Sequence, residues 1–274
     1  MLCTKIFITF GGGDNKYIYA AKRLIEQAKF TNYFDKIILY TDSDLKKDKY
    51  FWKKHSNFIL NNKKGYGYWI WKPYIIKKTM EAMKEGDIIM YLDSGCEIGG
   101  VKQSFIPQYF DYVKIDKIIG TYYRTFPLDN EWCKMDLLVH LNMQNSNLIN
   151  TPQRQAGALL IYNCKETQNI IHKWYEIACI YNMIDDSESI HKNLDCFCEH
   201  RHDQSIFSLL TKKYGIYSQK LLDECIYYIR NKTKYTRLKN GINYIRAGEE
   251  RDYIDSSNSN YYLKVKSIHN NLFP

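Results

Sequence analysis

The sequence predicts an α/β protein, a largely parallel sheet flanked by helices. Two observations carry this expectation. Short β-rich runs alternate with stretches of helical apolar spacing, and the connections are long enough to be right-handed crossovers rather than hairpins. The early strand runs also end in glycine or aspartate, the residues that turn a chain out of a strand. Bulk properties agree: 274 residues at 45% hydrophobic and 25% charged suit one large domain able to bury a core.

Taken in order, Lys5–Phe10 reads as a strand that breaks at Gly11-Gly12-Gly13. Ala20, Leu24 and Ala28 then share a face at helical spacing. "KIILYT" (36–41) is a second strand, ended by Asp42-Ser43-Asp44, and Phe58–Leu60 is a candidate third. Pro73 opens a helix, since its missing N–H costs nothing in a first turn. Ile76, Met80 and Met83 give that helix a buried stripe and Gly86 closes it. Asp87–Leu92 is the next strand and delivers Asp93. Further on, Lys117–Tyr123 and Ala158–Tyr162 read as strands, Lys165–Tyr181 and Gln204–Lys213 as helices, and "YIDSSNSNYY" (253–262) as a loop. No internal repeat and no linker is visible, so one domain is expected over 1–274. In parallel sheets ligands collect at the carboxyl ends of strands. Gly11–Gly13, Asp42–Asp44 and Asp93–Gly95 all follow strands and should gather on one edge.

The formal charge of +9 points to an anionic partner: nucleic acid, a membrane surface or a phosphorylated small molecule. The lysines are spread along the chain, without a block of five or six like charges. Aromatic residues reach 15%, mostly tyrosine, consistent with an AT-rich coding bias. Eight cysteines lie at scattered positions. The first residues, "MLCTKIFITFGGG", read as a strand and not a secretory leader, and no apolar run approaches the length of a membrane span. Reduced thiols in a cytoplasmic protein are the expectation.

Two stretches carry chemistry. "GYGYWIWKPYII" (65–76) sets two glycines, two tryptophans and Lys72 at a helix start, where free N–H groups and the helix dipole attract phosphate. A tryptophan-anchored loop with a solvated lysine accounts for the same spacing. In "IIMYLDSG" (88–95) a buried-looking strand ends on the single carboxylate of Asp93. On position alone, that aspartate is as readily a turn cap.

Together these stretches resemble the nucleotide-sugar-dependent glycosyltransferases of the GT-A fold. In that family a helix with an aromatic-basic start leads into a strand "hxYhDxD", where h is apolar. The match holds to Asp93 and fails at Gly95, where the family usually carries its second acid. "QAGALLIYN" (155–163) is similar to the family's "xxGxhhhxN" strand, and "HRHDQSIFSLL" (200–210) to its "DQxhhxxhh" helix start. "KSIHN" (266–270) resembles the segment whose histidine some retaining members place on the metal. The resemblance spans roughly residues 4 to 270 and is nearest to small bacterial and large-DNA-virus enzymes that build surface glycans.

The resemblance implies a Rossmann-like mixed, mainly parallel sheet, with a nucleotide-binding part at about 1–125 and a sugar- and acceptor-binding part at about 126–274. It implies a nucleotide-diphosphate sugar as donor and a glycan or other hydroxyl compound as acceptor. Thr9, Phe10 and Gly11 would lie against the nucleotide, Trp71 and Lys72 at the diphosphate, and Ser94 beside Asp93. Gln155, Ala156, Gly157, His202 and Gln204 would surround the sugar and acceptor, with Asp203 in the catalytic role. Asp93 and His269 would hold Mn²⁺ or Mg²⁺. One aspartate suffices for such a metal when the diphosphate adds oxygens, because Mg²⁺ commonly takes only one or two carboxylates. Glu97 is a substitute for the missing acid. A metal-independent site using Lys72 and an arginine such as Arg201 is the other solution.

Three rivals stand beside this reading. Asp203 is equally placed to be a helix N-cap, since Ile206, Leu209 and Leu210 give the following helix an apolar face. Cys196, Cys198, His200 and His202 are zinc-ligand types, although strictly alternating ligands make a poor tetrahedral clamp. Single-stranded nucleic acid stacking on tyrosines in a basic groove is the third. Against that third rival, Tyr17, Tyr40, Tyr91 and Tyr162 fall within or beside strand and helix patterns. Peripheral contact with anionic membrane, near a lipid-linked acceptor, is also compatible with the charge.

Overall fold

The computed structural model describes residues 3–98, 106–122, 127–218, 220, 222, 227–229 and 242–245. In order, the chain forms β1 (Lys5–Gly11), α1 (Asn15–Thr31), β2 (Lys36–Thr41), α2 (Asp42–Lys47) and α3 (Lys49–Asn61). The single turn α4 (Gly65–Tyr68), α5 (Trp71–Glu81), β3 (Ile88–Leu92), β4 (Cys96–Ile98), α6 (Ile106–Asp116) and β5 (Ile118–Tyr122) follow. Next come α7 (Asp129–Trp132), α8 (Met135–His140), β6 (Arg154–Tyr162), α9 (Lys165–Ala178), α10 (His202–Lys213), β7 (Tyr227–Ile229) and β8 (Ile242–Ile245).

Five strands make the central sheet in the order β2-β1-β3-β6-β5. β1 is parallel to both β2 and β3, whereas β6 is antiparallel to its neighbours β3 and β5. Four strands therefore run one way and β6 the other, the mixed and mainly parallel α/β sheet expected. The direction of β6 matters for the site. Leu92 at the end of β3 pairs with Ala158 in the middle of β6, so Gln155–Gly157, which precede it, reach the edge where β1 and β3 finish. A smaller sheet joins β4, β8 and β7.

Side chains alternate across the central sheet with the two-residue period of a strand. Ile8, Phe10, Ile89, Tyr91, Leu159 and Ile161 pack one face against α3, α5, α9 and α10 residues such as Phe51, Ile75, Trp174 and Phe207. Phe7, Met90, Leu92 and Leu160 pack the other against Leu24 and Ala28 of α1 and Phe110 of α6. With both faces covered, β3 is apolar throughout, as a central strand must be. Asp14 caps α1 by accepting from the Lys16 N–H, and Asn32 ends it in the left-handed conformation. At Gly11 a Cβ would lie 2.8 Å from both the Ala21 Cβ and the Tyr17 carbonyl oxygen. Close packing of β1 on α1 therefore requires that glycine.

Several expected boundaries move. Phe58–Leu60 is not a strand; it lies in α3, where Phe51, His55, Phe58 and Ile59 share a buried face at helical spacing. α5 ends at Glu81, before Gly86, which instead turns the chain into β3 with φ of 94°. The helix expected over 165–181 stops at Ala178 and continues as a 3₁₀ turn over Tyr181–Met183.

The turn before α5 has the most unusual backbone of the molecule. Gly65, Tyr66, Gly67, Tyr68 and Trp69 all have positive φ, between 51° and 83°. This is a left-handed turn in which three of five residues are bulky aromatics, each disfavoured by about 1–2 kcal/mol there. Surrounding packing must hold it. A Cβ on Gly67 would come within 2.7 Å of Ile59, and one on Gly65 within 2.4 Å of the Trp69 ring, so both glycines are obligatory.

Candidate active site

Three ionisable side chains from distant parts of the chain meet at the carboxyl edge of β1 and β3. Lys72 belongs to the first turn of α5, Asp93 follows β3, and Asp203 opens α10. The Lys72 ammonium lies 3.2 Å from Asp93 Oδ1 and 2.9 Å from Asp203 Oδ2. Lys72 and Asp203 are each 3% exposed, so this is a buried pair and not a solvated lysine. The Tyr91 hydroxyl donates to Asp93 Oδ1, and the Lys72 ammonium sits 5.7 Å from the Tyr91 ring centre.

Each member is set by its local fold. Asp93 N–H donates to the Gly157 carbonyl at 2.7 Å, and its own carbonyl accepts from Cys96 N–H at 2.8 Å. The strand thus closes into a tight turn at Asp93, whose side chain falls on the same face as Tyr91, two residues back. Arg23 of α1 reaches across to donate to the carbonyls of Ser94 and Cys96, at 3.1 and 2.8 Å. Thr9 donates to the Leu92 carbonyl at 2.7 Å and ties the end of β1 to the end of β3. Asp203 is fixed through its backbone, whose carbonyl accepts from the Trp174 indole at 2.8 Å.

Charge shapes this group. Burial pushes the Asp203 carboxyl up to about 6; Lys72 pulls it back, and the neighbouring Asp93 raises it further. Its Oδ2 has Lys72 beside it and no other hydrogen-bond donor among the described residues. Burial pulls Lys72 down, but Asp203 and Asp93 outweigh it and keep its pKa above the ordinary lysine value. One ammonium between two carboxylates leaves the group net negative when all three are ionised.

The other expected positions fall around this centre. Phe10 and Trp71 stack with ring centres 3.9 Å apart, and the Trp71 indole donates to the Gly65 carbonyl. Gln204 bridges the start of β6: its Oε1 accepts from Ala156 N–H at 3.4 Å and its Nε2 donates to Gln153 at 2.6 Å. Gln155 accepts from Thr121 at 2.7 Å. Thr9, Phe10, Gly11, Trp71, Gln155, Ala156 and Gly157 are buried, and Ser94 is nearly so. Arg201 lies over Trp132, its guanidinium 3.9 Å from the ring centre. His269, the Glu97 side chain and the 253–262 segment lie outside the described residues.

Tyr91 and Arg23 are site residues that the sequence reading did not single out. For Tyr91 the signal was present in the i, i+2 spacing to Asp93. For Arg23, an ordinary helix residue by position, there was none.

Among the described residues no group of three or more His, Cys, Asp or Glu side chains converges on a common point. Asp93 is committed to Lys72 and Tyr91 instead, so these residues do not by themselves fit Mn²⁺ or Mg²⁺. The zinc alternative fails in more detail. Cys196 and Cys198 are exposed and donate to the carbonyls of Asn130 and Cys196. His200 accepts from Lys134 N–H and meets the Met183 carbonyl, while His202 Nδ1 meets the Ile184 carbonyl at 2.8 Å. The four side chains face separate partners.

Comparison with known proteins gives no matching family model and no matching curated protein. Among solved structures, the chain is similar to mouse xyloside xylosyltransferase 1 in its apo form, at 9% identity and a TM-score of 0.49, over 91% of this chain and all of that one. It is similar to the galactosyltransferase LgtC with donor and acceptor sugar analogues, at 14% identity and 0.45, over 96% and 95%. A glycosyltransferase involved in glycosylating the major capsid of PBCV-1 gives 11% and 0.46, over 96% and 100%. At these identities and scores the likenesses carry no functional weight, which rests on the site itself.

Proposed function

We propose that this chain is a glycosyltransferase moving a sugar from a nucleotide-diphosphate donor to a hydroxyl of a glycan or other acceptor. The observation that carries the reading is the buried Lys72 held between Asp93 and Asp203 at the carboxyl edge of β1 and β3. Ligands of such sheets collect on that edge, and an enzyme stabilises charge that develops in the transition state with groups fixed beforehand. Breaking the bond between the anomeric carbon and the diphosphate oxygen leaves positive charge on the sugar. A net-negative group of two carboxylates and one ammonium, screened from water, suits that charge.

In this proposal residues from about 1 to 125 take the nucleotide and those from about 126 to 274 the sugar and acceptor. Asp203 faces the transferred sugar, with Gln155, Ala156, Gly157, His202 and Gln204 around it. An ionised Asp203 serves as the base that accepts the acceptor hydroxyl's proton as the new glycosidic bond forms. Lys72 holds both carboxylates in register. Thr9, Phe10, Gly11 and Trp71 support the nucleotide side, and Ser94 the turn at Asp93. No step is assigned to Mn²⁺ or Mg²⁺, because the described residues do not assemble a cage for it.

The test is thermal stability against a panel of nucleoside diphosphates and nucleotide sugars, with and without Mn²⁺, for the wild-type chain and Asp93→Asn. A ligand at a hundred times its dissociation constant adds about 2.7 kcal/mol. The expected outcome is a shift with one nucleotide class that Asp93→Asn weakens. A shift requiring Mn²⁺ would restore the metal and give His269 a role. The absence of a shift with every nucleotide would end the transferase reading.

A further inference from the structure

The left-handed turn at Gly65–Trp69 has no part in the chemistry described so far, yet it contacts Lys72 and His202, the residue immediately before Asp203. We propose that Tyr68, Trp69 and His202 form a positioning lock: the turn holds His202, and through it Asp203, at a fixed separation from Lys72. The inference rests on the transferase reading for its catalytic consequence and on geometry alone for its mechanical part.

On the Lys72 side the link is backbone. Lys72 N–H donates to the Trp69 carbonyl at 2.9 Å, so the last residue of the turn sets the first turn of α5. On the Asp203 side the link is aromatic. The His202 ring stacks on Trp69, with centres 5.3 Å apart and planes at 25°, and touches Tyr68 at 4.9 Å. His202 itself has φ of 55°, a left-handed residue immediately before Asp203. Two strained segments, far apart in sequence, therefore meet ring to ring where the ion pair forms. Strain of this kind persists only where the surroundings over-determine it, and it concentrates at functional sites.

The remaining contacts of His202 bind it to the same unit. Its Nδ1 meets the Ile184 carbonyl, and its Nε2 lies 3.6 Å from Asp186. Asp186 pairs at 2.8 Å with Lys64, the residue immediately before the turn. The turn is itself pinned: Gly67 N–H donates to the Asn62 carbonyl and Tyr68 N–H to the Lys64 carbonyl, each at 2.8 Å. A buried ion pair gains from good geometry only when that geometry is enforced, and a displacement of about 1 Å at a reacting group can cost about a hundredfold in rate.

The test compares Trp69→Leu with Trp69→Phe, which keeps a ring for His202 to stack on. His202→Asn is a third variant, since asparagine tolerates the left-handed conformation and can still donate to Ile184. Amide hydrogen exchange on the full chain is read in peptides covering 198–206 and, as a control, 36–41. Trp69→Leu and His202→Asn should speed exchange at 198–206 by roughly tenfold while leaving 36–41 unchanged, and Trp69→Phe should restore much of the protection. Turnover is read as nucleotide release from the donor that stabilises the wild-type chain. Here kcat should fall roughly tenfold or more in both ring-deleting variants, and in Trp69→Leu, which removes no residue placed at the sugar, donor KM should stay within about threefold, the mark of lost positioning and not of lost binding. Unchanged exchange at 198–206, or an unchanged kcat, in both ring-deleting variants would overturn the lock. Uniformly faster exchange in both segments would reduce it to ordinary packing. If the wild-type chain turns over no nucleotide sugar, the transferase reading falls and the exchange result alone judges the mechanical link.

Discussion

At Lys72 a single ammonium serves two carboxylates in a place almost closed to water, and this makes the residue's loss predictable. Removing one partner of a buried ionic group leaves the rest uncompensated, at a cost of about 3–5 kcal/mol. Lys72→Met should therefore destabilise the chain by that amount in urea denaturation, although methionine fills much the same volume. Adding Asp203→Asn removes one of the orphaned charges and should recover about 1–3 kcal/mol, a coupling expected only of residues in contact. Additive effects would mean that the 2.9 Å pair is not formed in solution. The residue scale is also where the sequence was most legible. Lys72, Asp93 and Asp203 could each be picked out only through the family resemblance, because position at a helix start or a strand end fits a solvated lysine, a turn cap and an N-cap equally well. Their mutual contact could not, since spacing says nothing of which side chains from distant segments share one cation. Tyr91 shows the converse: it sits within an apolar strand, reads as core and is core, and yet its hydroxyl serves Asp93.

The elements that carry these residues depend on the segment between α9 and α10, which supplies the Ile184 carbonyl and Asp186 to His202. Asp136 of α8 anchors that segment, accepting from Ile190 N–H and His191 N–H at 2.9 Å each and from the His191 ring at 2.8 Å. Burial alone would raise its carboxyl, but the His191 and Ile190 N–H groups, the His191 ring and Ser189 outweigh it and hold it down to about 2. The sign follows from linkage. The unfolded chain binds the proton more readily, so the stabilisation is complete above the unfolded value of 3.8 and is lost as pH falls from there through about 2. A shift of this size is worth about 2 kcal/mol. Asp136→Asn should be less stable than wild type by about that much at pH 7, and the gap should close as pH is lowered toward 2. A gap independent of pH would point to packing in place of charge. None of this was visible in the sequence, where Cys196, Cys198, His200 and His202 around the end of this segment suggest metal instead. The left-handed turn was only half visible. Its two glycines announce a turn, whereas positive φ at Tyr66, Tyr68 and Trp69 depends on Ile59 and His202, contacts that only the folded chain provides.

For the whole molecule, the mainly parallel α/β class was legible in the alternation of strand and helix, whereas the strand order was not, and the antiparallel β6 brings Gln155–Gly157 back to the edge where β1 and β3 finish. The charge of +9 is a property at this scale too, and the candidate site does not account for it. Lys72 is consumed by its two carboxylates, and the group it forms is net negative. The surplus suits an anionic surface, the peripheral membrane contact with which the charge is compatible. Among the described residues no helix is long and apolar enough to cross a membrane. Each lysine or arginine near an anionic leaflet contributes about 1 kcal/mol, within a Debye length of roughly 10 Å at 0.1 M salt and 3 Å at 1 M. The chain should then sediment with phosphatidylserine-containing vesicles at low ionic strength, leave them as salt approaches about 1 M, and ignore phosphatidylcholine alone. Donor-induced stabilisation should respond far less to the same salt, because the buried site is screened little by bulk ions. Failure to sediment at low salt would remove the membrane contact expected from the charge. A donor shift that disappeared in step with vesicle binding would mean that nucleotide and lipid compete for one basic surface, and the donor would then have to be placed away from Lys72.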